Sequence, residues 1–237
     1  MLVSKPTYSV LLPVMNEVAS LDQTLEILRD ENPDRSFEFL IVVSPRSESS
    51  AITNALAHQA ATPESVRVVT QGRPLLGGAL MDAIDASTGE YIIMMASDLE
   101  TDPHAVRRML EASDSDPEAI IATTRWQGDG AGFEGYGIGK KLANSVFQRT
   151  VRTIYSSELT DLTYGFRLYP SRSVKQPEWQ TYNHGFLLES ILRPLKKGWR
   201  AHELPVTWKA REEGTSSNSW RFYASYFTMA MSIRFGD

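Results

Sequence analysis

The run Ile92-Ile93-Met94-Met95-Ala96-Ser97-Asp98-Leu99-Glu100-Thr101-Asp102-Pro103 is an apolar strand-like stretch that ends directly in carboxylates. Hard oxygen donors at the end of a strand suit a divalent ion, Mg²⁺ or Mn²⁺, that bridges protein and diphosphate. Asp98 and Glu100 are the metal candidates, because side chains two apart in an extended segment share a face. The competing explanation is that helix N-termini attract acidic residues, which accounts for Asp102 but poorly for Asp98. A second feature is Gly77-Gly78 ahead of a helix expected to open at Ala79. Free N–H groups there would suit an anion, and the same dipeptide also makes a tight turn. The four histidines, His58, His104, His184 and His202, have no metal-ligand spacing, and the chain has no cysteine. Disulfides, thiolate metal sites and catalytic thiols are therefore excluded.

These residues need a frame. Residues 8–14, 39–44, 66–70, 91–96 and 119–124 are rich in Val, Ile and Tyr between polar or Gly/Pro boundaries and predict strands. Helices are predicted over 21–29, where Ser20 and Gln23 fit a capping box, and over 51–60, 79–86 and 103–112. The last has Asp102 as N-cap and Pro103 at the first helical position. Strands alternating with helices predict an α/β fold, a mostly parallel sheet with both faces covered. Ligands in such sheets sit beyond the carboxyl ends of the strands, which singles out 13–17, 44–50, 72–78 and 97–102. Six glycines in 128–139 predict a mobile loop. Beyond it come a basic helix over 140–152, a helix over 187–197 and a polar loop through Ser219.

With 42% hydrophobic and 22% charged residues, the 237-residue chain can bury a sizeable core, which excludes disordered and collagenous classes. Its 24 Lys and Arg against 29 Asp and Glu leave −5, which argues against a nucleic-acid partner while permitting a local basic patch. No window supplies the roughly 18 apolar residues of a membrane span. Residues 1–6 lack an apolar signal region, so a cytoplasmic location is expected, with membrane work done only from the surface. Residues 220–235 mix Trp220, Phe222, Tyr223, Tyr226, Phe227 and Met231 with Arg221 and Arg234. They read either as an interfacial helix or as one packed on the core.

In their order, the motifs over residues 8–217 resemble the glycosyltransferase family 2 enzymes of GT-A fold, in the dolichol-phosphate mannosyltransferase-like branch that glycosylates polyprenyl phosphates. Ser9-Val10-Leu11-Leu12-Pro13-Val14-Met15-Asn16-Glu17 is similar to the family's opening strand and P-x-x-N-E turn, which implies nucleotide contacts around Pro13, Asn16 and Glu17. Gly72-Arg73-Pro74-Leu75-Leu76-Gly77-Gly78-Ala79 resembles its R-x-x-G-x-G-x-A segment, implying donor contacts at Arg73, Gly77 and Gly78. Asp98 and Glu100 fall on the second Asp and the following ligand position of its D-A-D-L-x motif. Arg125, Lys140, Asn144, Asp161, Arg167, Glu189, Pro205 and Arg211 then recur in family order. Two departures stand out: Ser44-Pro45-Arg46-Ser47-Glu48 replaces the usual Asp-Asp-Gly-Ser, and Ala96 replaces the first Asp of the triplet. The metal would then be weaker, or held by Asp98, Glu100 and the diphosphate itself.

The resemblance implies one GT-A domain over 1–237, with a nucleotide-sugar-binding half at 1–127, an acceptor half at 140–219 and a C-terminal helix at 220–237. The implied reaction moves a hexose with inversion from a nucleotide diphosphate sugar, of GDP-mannose or UDP-glucose type, to a lipid-linked polyprenyl phosphate. A phosphate with its second pKa near ~6 needs charge neutralisation rather than a strong base. Arg125, Lys140 and Arg211 are the candidates, since guanidinium forks bind phosphate oxygens in pairs. Asp161 would orient a sugar hydroxyl or lie beside the reacting carbon, or else cap the turn before Gly165. Arg167 and Glu189 form a structural ion pair or touch ligand. A chain without a span needs peripheral docking or a membrane-protein partner. The rival readings are a hydroxyl acceptor with Asp161 as base, and a non-catalytic nucleotide-sugar-binding protein.

Overall fold

The run Tyr8-Ser9-Val10-Leu11-Leu12-Pro13-Val14 is apolar at most positions, as a strand covered on both faces must be, and it forms the strand β1 (Tyr8–Val14). The computed structural model describes residues 8–134, 138–209 and 221–236. The other strands are β2 (Phe37–Val43), β3 (Val66–Thr70), β4 (Tyr91–Met94), β5 (Ile120–Thr124), β6 (Gly132–Glu134), β7 (Arg167–Pro170), β8 (Ala201–Pro205) and β9 (Thr207–Lys209). The helices are α1 (Ala19–Asp30), α2 (Ser49–Ala61), α3 (Leu75–Ala86), α4 (Ala105–Ser115), α5 (Ile138–Tyr155), α6 (Ser171–Lys175), α7 (Phe186–Lys196) and α8 (Arg221–Phe235).

Seven strands form one sheet in the order β3-β2-β1-β4-β7-β5-β8, and β6 pairs in parallel with β9 in a small second sheet. Within the large sheet only β7 runs against its neighbours. The carboxyl ends of the parallel strands therefore share one edge. Side chains alternate between two cores. Val10, Leu12 and Val14 meet Leu21, Leu25, Val106 and Met109 from α1 and α4 on one face. Leu11, Leu40 and Val42 meet Leu80, Ile84, Phe147, Val151, Phe186 and Ile191 from α3, α5 and α7 on the other. At about 25 cal/mol per Å² of apolar area, these two layers supply the main drive to fold.

Several boundaries differ from the sequence expectation for identifiable reasons. Helix α1 starts before Ser20, so the capping box does not form. Glu17 folds onto the amides of Met15 and Asn16, and the helix begins immediately after that turn. Asp102 caps a turn rather than the helix: its Oδ1 accepts the His104 N–H at 3.1 Å, and α4 starts at Ala105. Helix α3 opens at Leu75, so Gly77 and Gly78 lie inside it. The glycine-rich segment expected to be a mobile loop contains β6, and its residues 135–137 lie outside the described residues.

Tyr226, Met229, Ala230 and Ile233 of α8 pack in the core, and the Tyr155 hydroxyl donates to the Ala230 carbonyl at 2.7 Å. The core-packing alternative thus holds for this face; Trp220 lies outside the described residues, as do the side chains of residues 221–225. Among the described residues no helix is long and apolar enough to cross a membrane.

Candidate functional site

Hydroxyl and amide bonds stitch three strand ends together at the sheet's carboxyl edge. Ser97 Oγ donates to the Pro13 carbonyl at 3.1 Å, and Ser47 Oγ donates to the Val14 carbonyl at 2.6 Å. The Glu48 N–H donates to the Met15 carbonyl at 2.7 Å. The substituted Ser44-Pro45-Arg46-Ser47 segment is thereby a closed turn, with the Ser44 N–H donating to Ser47 Oγ at 2.9 Å. Glu17 is 9% exposed and accepts the N–H groups of Met15 and Asn16 at 2.6 and 3.0 Å. It shapes the turn that carries Pro13 and Asn16 to the edge.

Asp98 and Glu100 sit at the same edge, but the segment is bent rather than extended. Leu99 adopts φ 60°, and Asp98 Oδ1 accepts the Glu100 N–H at 3.1 Å. The same-face argument from alternation therefore does not apply, because a left-handed residue stands between the two carboxylates. Leu75, with φ 61°, is a second left-handed leucine, at the start of α3. Such strain costs on the order of 1–3 kcal/mol per residue and gathers at ligand sites. Among the described residues no group of three or more His, Cys, Asp or Glu could hold a metal. The chemistry open to Asp98 and Glu100 is then that of Mg²⁺ bound through one or two carboxylates plus phosphate oxygens.

Arg73 faces α3. Its Nη1 lies 2.8 Å from Asp82 and 2.7 Å from Asp85, and Asp85 foremost raises its pKa. The N–H groups of Gly72 and Arg73 donate to Asp82 at 2.7 and 2.9 Å. The Gly78 N–H donates to the Tyr182 carbonyl at 3.2 Å, and both glycines lie within α3 rather than ahead of it, so the Gly78 amide is engaged by the chain itself. The two glycines serve close approach. A Cβ on Gly77 would lie 2.4 Å from the Thr181 carbonyl oxygen, and one on Gly78 would lie 2.6 Å from Arg73 backbone.

A polar cluster surrounds Asp161, which is fully buried. Arg125 donates through Nε at 2.6 Å and Nη2 at 3.0 Å, a two-pronged pair. Gln148 Nε2 at 3.0 Å and the Tyr164 N–H at 3.2 Å also donate to Asp161 Oδ1. Asp161 thus caps the turn before Gly165 as well as holding Arg125. The fork assigned to phosphate by sequence is engaged by a carboxylate, and the guanidinium carbon lies 4.4 Å from the Tyr164 ring centroid and 5.2 Å from that of Phe133. Burial pushes the Tyr164 phenol well above its usual range, and its hydroxyl donates to the Glu100 carbonyl at 3.3 Å. Tyr164 thereby ties the Arg125 cluster to the metal-candidate turn. Arg211 lies outside the described residues, as does the side chain of Lys140.

Gln148, Glu203, Tyr164, Phe133 and Thr160 were not among the sequence candidates. Gln148 lies one turn beyond Asn144 on the buried face of α5, a spacing visible in the sequence. Glu203 accepts the N–H groups of Thr160 and Asp161 at 2.7 and 2.8 Å, and burial raises its pKa against those contacts. Arg167 and Glu189 do not pair with each other. Arg167 donates to the carbonyls of Leu162 and Leu187, whereas Glu189 accepts from Arg193 at 2.5 Å and from the Thr181 N–H at 2.9 Å. Both are fully buried beneath the site.

The chain is similar to several known glycosyltransferases. Over 211 residues the chain is 26% identical to a glycosyltransferase of Haloferax volcanii, spanning 86% of this chain and 33% of that protein. It is 25% identical over 215 residues to the undecaprenyl-phosphate mannosyltransferase of Micrococcus luteus, spanning 88% and 86% respectively. A 25% identity over 144 residues links it to the undecaprenyl-phosphate 4-deoxy-4-formamido-L-arabinose transferase of Sodalis glossinidius, of which it spans 43%. Glucosyl-3-phosphoglycerate synthase from Mycobacterium tuberculosis, solved with UDP, superposes with a TM-score of 0.70 at 16% identity, covering 96% of this chain and 80% of that one. The same enzyme solved with Mn²⁺, UDP-glucose and phosphoglyceric acid gives 0.69. That likeness establishes the GT-A fold. Residues 9–176 match the model of Glycosyl transferase family 2, well over half of the chain, and the chain belongs to that family.

Proposed function

We propose that the chain transfers a hexose from a nucleoside diphosphate sugar to the phosphate of a polyprenyl lipid, by a single inverting displacement. An acceptor phosphate oxygen forms the new bond to the anomeric carbon as the bond from that carbon to the donor diphosphate breaks, releasing the nucleoside diphosphate. The observation that carries this reading is the state of Asp161. A hydroxyl acceptor needs a base, yet this carboxylate is fully buried and engaged by Arg125, Gln148 and the Tyr164 amide. An acceptor that is already an anion needs no base. The undecaprenyl-phosphate transferases of Micrococcus luteus and Sodalis glossinidius support the same acceptor class.

In this reading Pro13, Asn16, Glu17, Arg73, Gly77 and Gly78 frame the donor side, with Glu17 and the glycines acting through backbone shape. Asp98 with Glu100 would hold Mg²⁺ or Mn²⁺, which supplies charge neutralisation to the leaving diphosphate. Arg125, Lys140 and Arg211 form the cationic set for the acceptor, with Arg125 oriented by Asp161. The enzyme works from the membrane surface, alone or with a membrane-protein partner. The test is a transfer assay with matched polyprenyl phosphate and polyprenol acceptors, across GDP- and UDP-linked hexoses with Mg²⁺ or Mn²⁺. The phosphate is expected to be used at least about a hundredfold better, the scale of a missing general base. Equal use of the alcohol overturns the proposal.

A further inference from the structure

Helix α5 has two chemically opposite faces. Inward, Asn144, Phe147, Gln148 and Val151 are buried, and Gln148 holds Asp161. Outward, Leu142 is 67% exposed and Val146, one turn on, is 58% exposed. Lys141 and Arg149 are exposed on either side of them, and Arg149, Arg152, Thr153 and Ser157 line an open depression of about 370 Å³. Arg152 Nε is buried there without an acceptor. The charge is as uneven as the hydropathy. Helix α5 packs beside α8, and the two carry six of the chain's 24 Lys and Arg and none of its 29 Asp and Glu. A single exposed leucine needs no explanation. An apolar pair flanked by cations, on a helix without anions in a chain of net charge −5, is a different pattern.

We infer that the outer face of α5 docks the protein on an anionic bilayer surface, with Leu142 and Val146 entering the headgroup boundary and Arg149 and Arg152 seating lipid phosphates. The chemistry is that of an interfacial amphipathic helix, whose apolar stripe and basic flanks act together. The face places the membrane contact not on 220–235, which the sequence left open between an interfacial and a core-packed helix, but on a helix whose other side touches the candidate site. The proposal rests on the lipid-phosphate acceptor: a helix is about 10 Å thick, so a lipid phosphate at the outer face lies one helix width from the Arg125–Asp161 pair.

The test is flotation of the full chain with vesicles of phosphatidylcholine, alone or mixed with phosphatidylglycerol. Binding is expected only to the mixed vesicles and should weaken as salt rises. Arg149→Glu with Arg152→Glu should weaken it more than about tenfold, since each cation near an anionic surface contributes several-fold. Leu142→Ser with Val146→Ser should weaken it as well, at unchanged melting temperature. Arg107→Glu, on α4 across the sheet, should bind as the parent does. Equal binding to neutral vesicles, or double variants that float like the parent, overturns the proposal. Binding that requires a membrane protein in the vesicle overturns it in favour of a protein partner. A detergent assay with solubilised polyprenyl phosphate separates the two readings: no transfer there, with flotation as expected, removes the acceptor reading and leaves the docking face standing.

Discussion

Arg125 and Asp161 are each other's condition for being buried. Their side chains are 9% and 0% exposed, and neither charge can return to water without opening the packing between Phe133, Tyr164 and α5. Breaking a buried pair by removing one member leaves the other uncompensated, at a cost of about 3–5 kcal/mol. Asp161→Asn is therefore expected to lose about that much stability in urea denaturation and to impair transfer, because Arg125 loses its orienting partner. Arg125→Met combined with Asp161→Asn should lose less than the sum of the two single changes. A loss within about 0.5 kcal/mol for Asp161→Asn, the range of an ordinary surface substitution, would contradict the pairing. Sequence reasoning named both residues but gave them separate roles. They stand 36 positions apart, and their meeting depends on β5 and the turn before Gly165 being adjacent, which no local pattern reports. Gln148 was more accessible to such reasoning, because its place one turn past Asn144 is a matter of helical spacing.

At the scale of elements, strands buried on both faces were the most legible, because continuous apolar runs have few other uses. β1 and β3 lie where the sequence placed them, and β2, β4 and β5 differ only at their ends. β7 escaped notice because it is four residues long, opens with a charged Arg167 and enters the sheet antiparallel between β4 and β5. Its side of the sheet is set by tertiary pairing rather than by composition. The start of α3 was misplaced because Gly-Gly reads as a breaker, whereas here the glycines admit another segment of chain. Ala is favoured over Gly in a helix by about 1 kcal/mol, so propensity alone favours Gly77→Ala. The new Cβ would lie 2.4 Å from the Thr181 carbonyl oxygen and 2.7 Å from Tyr182 backbone, atoms that cannot turn aside. Overpacking of this kind costs about 1–3 kcal/mol, so net destabilisation is expected on thermal unfolding. Gly139→Ala in α5, where a Cβ meets nothing within 4 Å, should leave stability unchanged or raise it. Stabilisation by Gly77→Ala would show that the loop over α3 is not packed as described.

Across the whole molecule the strand-end edge and the candidate metal position are built differently. The ends of β1, β2 and β4 are tied to one another by hydrogen bonds of the chain itself, which hold the edge on which a nucleotide would rest. The metal position is not closed in the same way. Ala96 stands where the family has a carboxylate, Asp98 already accepts a backbone N–H, and among the described residues no third acidic or histidine ligand completes a cage. A divalent ion held by two carboxylates must take its remaining oxygens from diphosphate and water. Metal and donor affinities are then coupled, and by linkage each must strengthen the other by the same factor. Mg²⁺ or Mn²⁺ alone should leave the melting temperature unchanged, and a nucleoside diphosphate without metal should raise it only slightly. Both together, at 100 times the dissociation constant, should stabilise by about 2.7 kcal/mol. For a chain of this size that is a rise of roughly 5–10 °C. Chelation should reverse it, and Asp98→Ala should remove the metal-dependent part while Glu100→Ala removes less. A rise of several degrees with metal alone would mean that the protein supplies a complete cage, and the coupling to the diphosphate would fall with it.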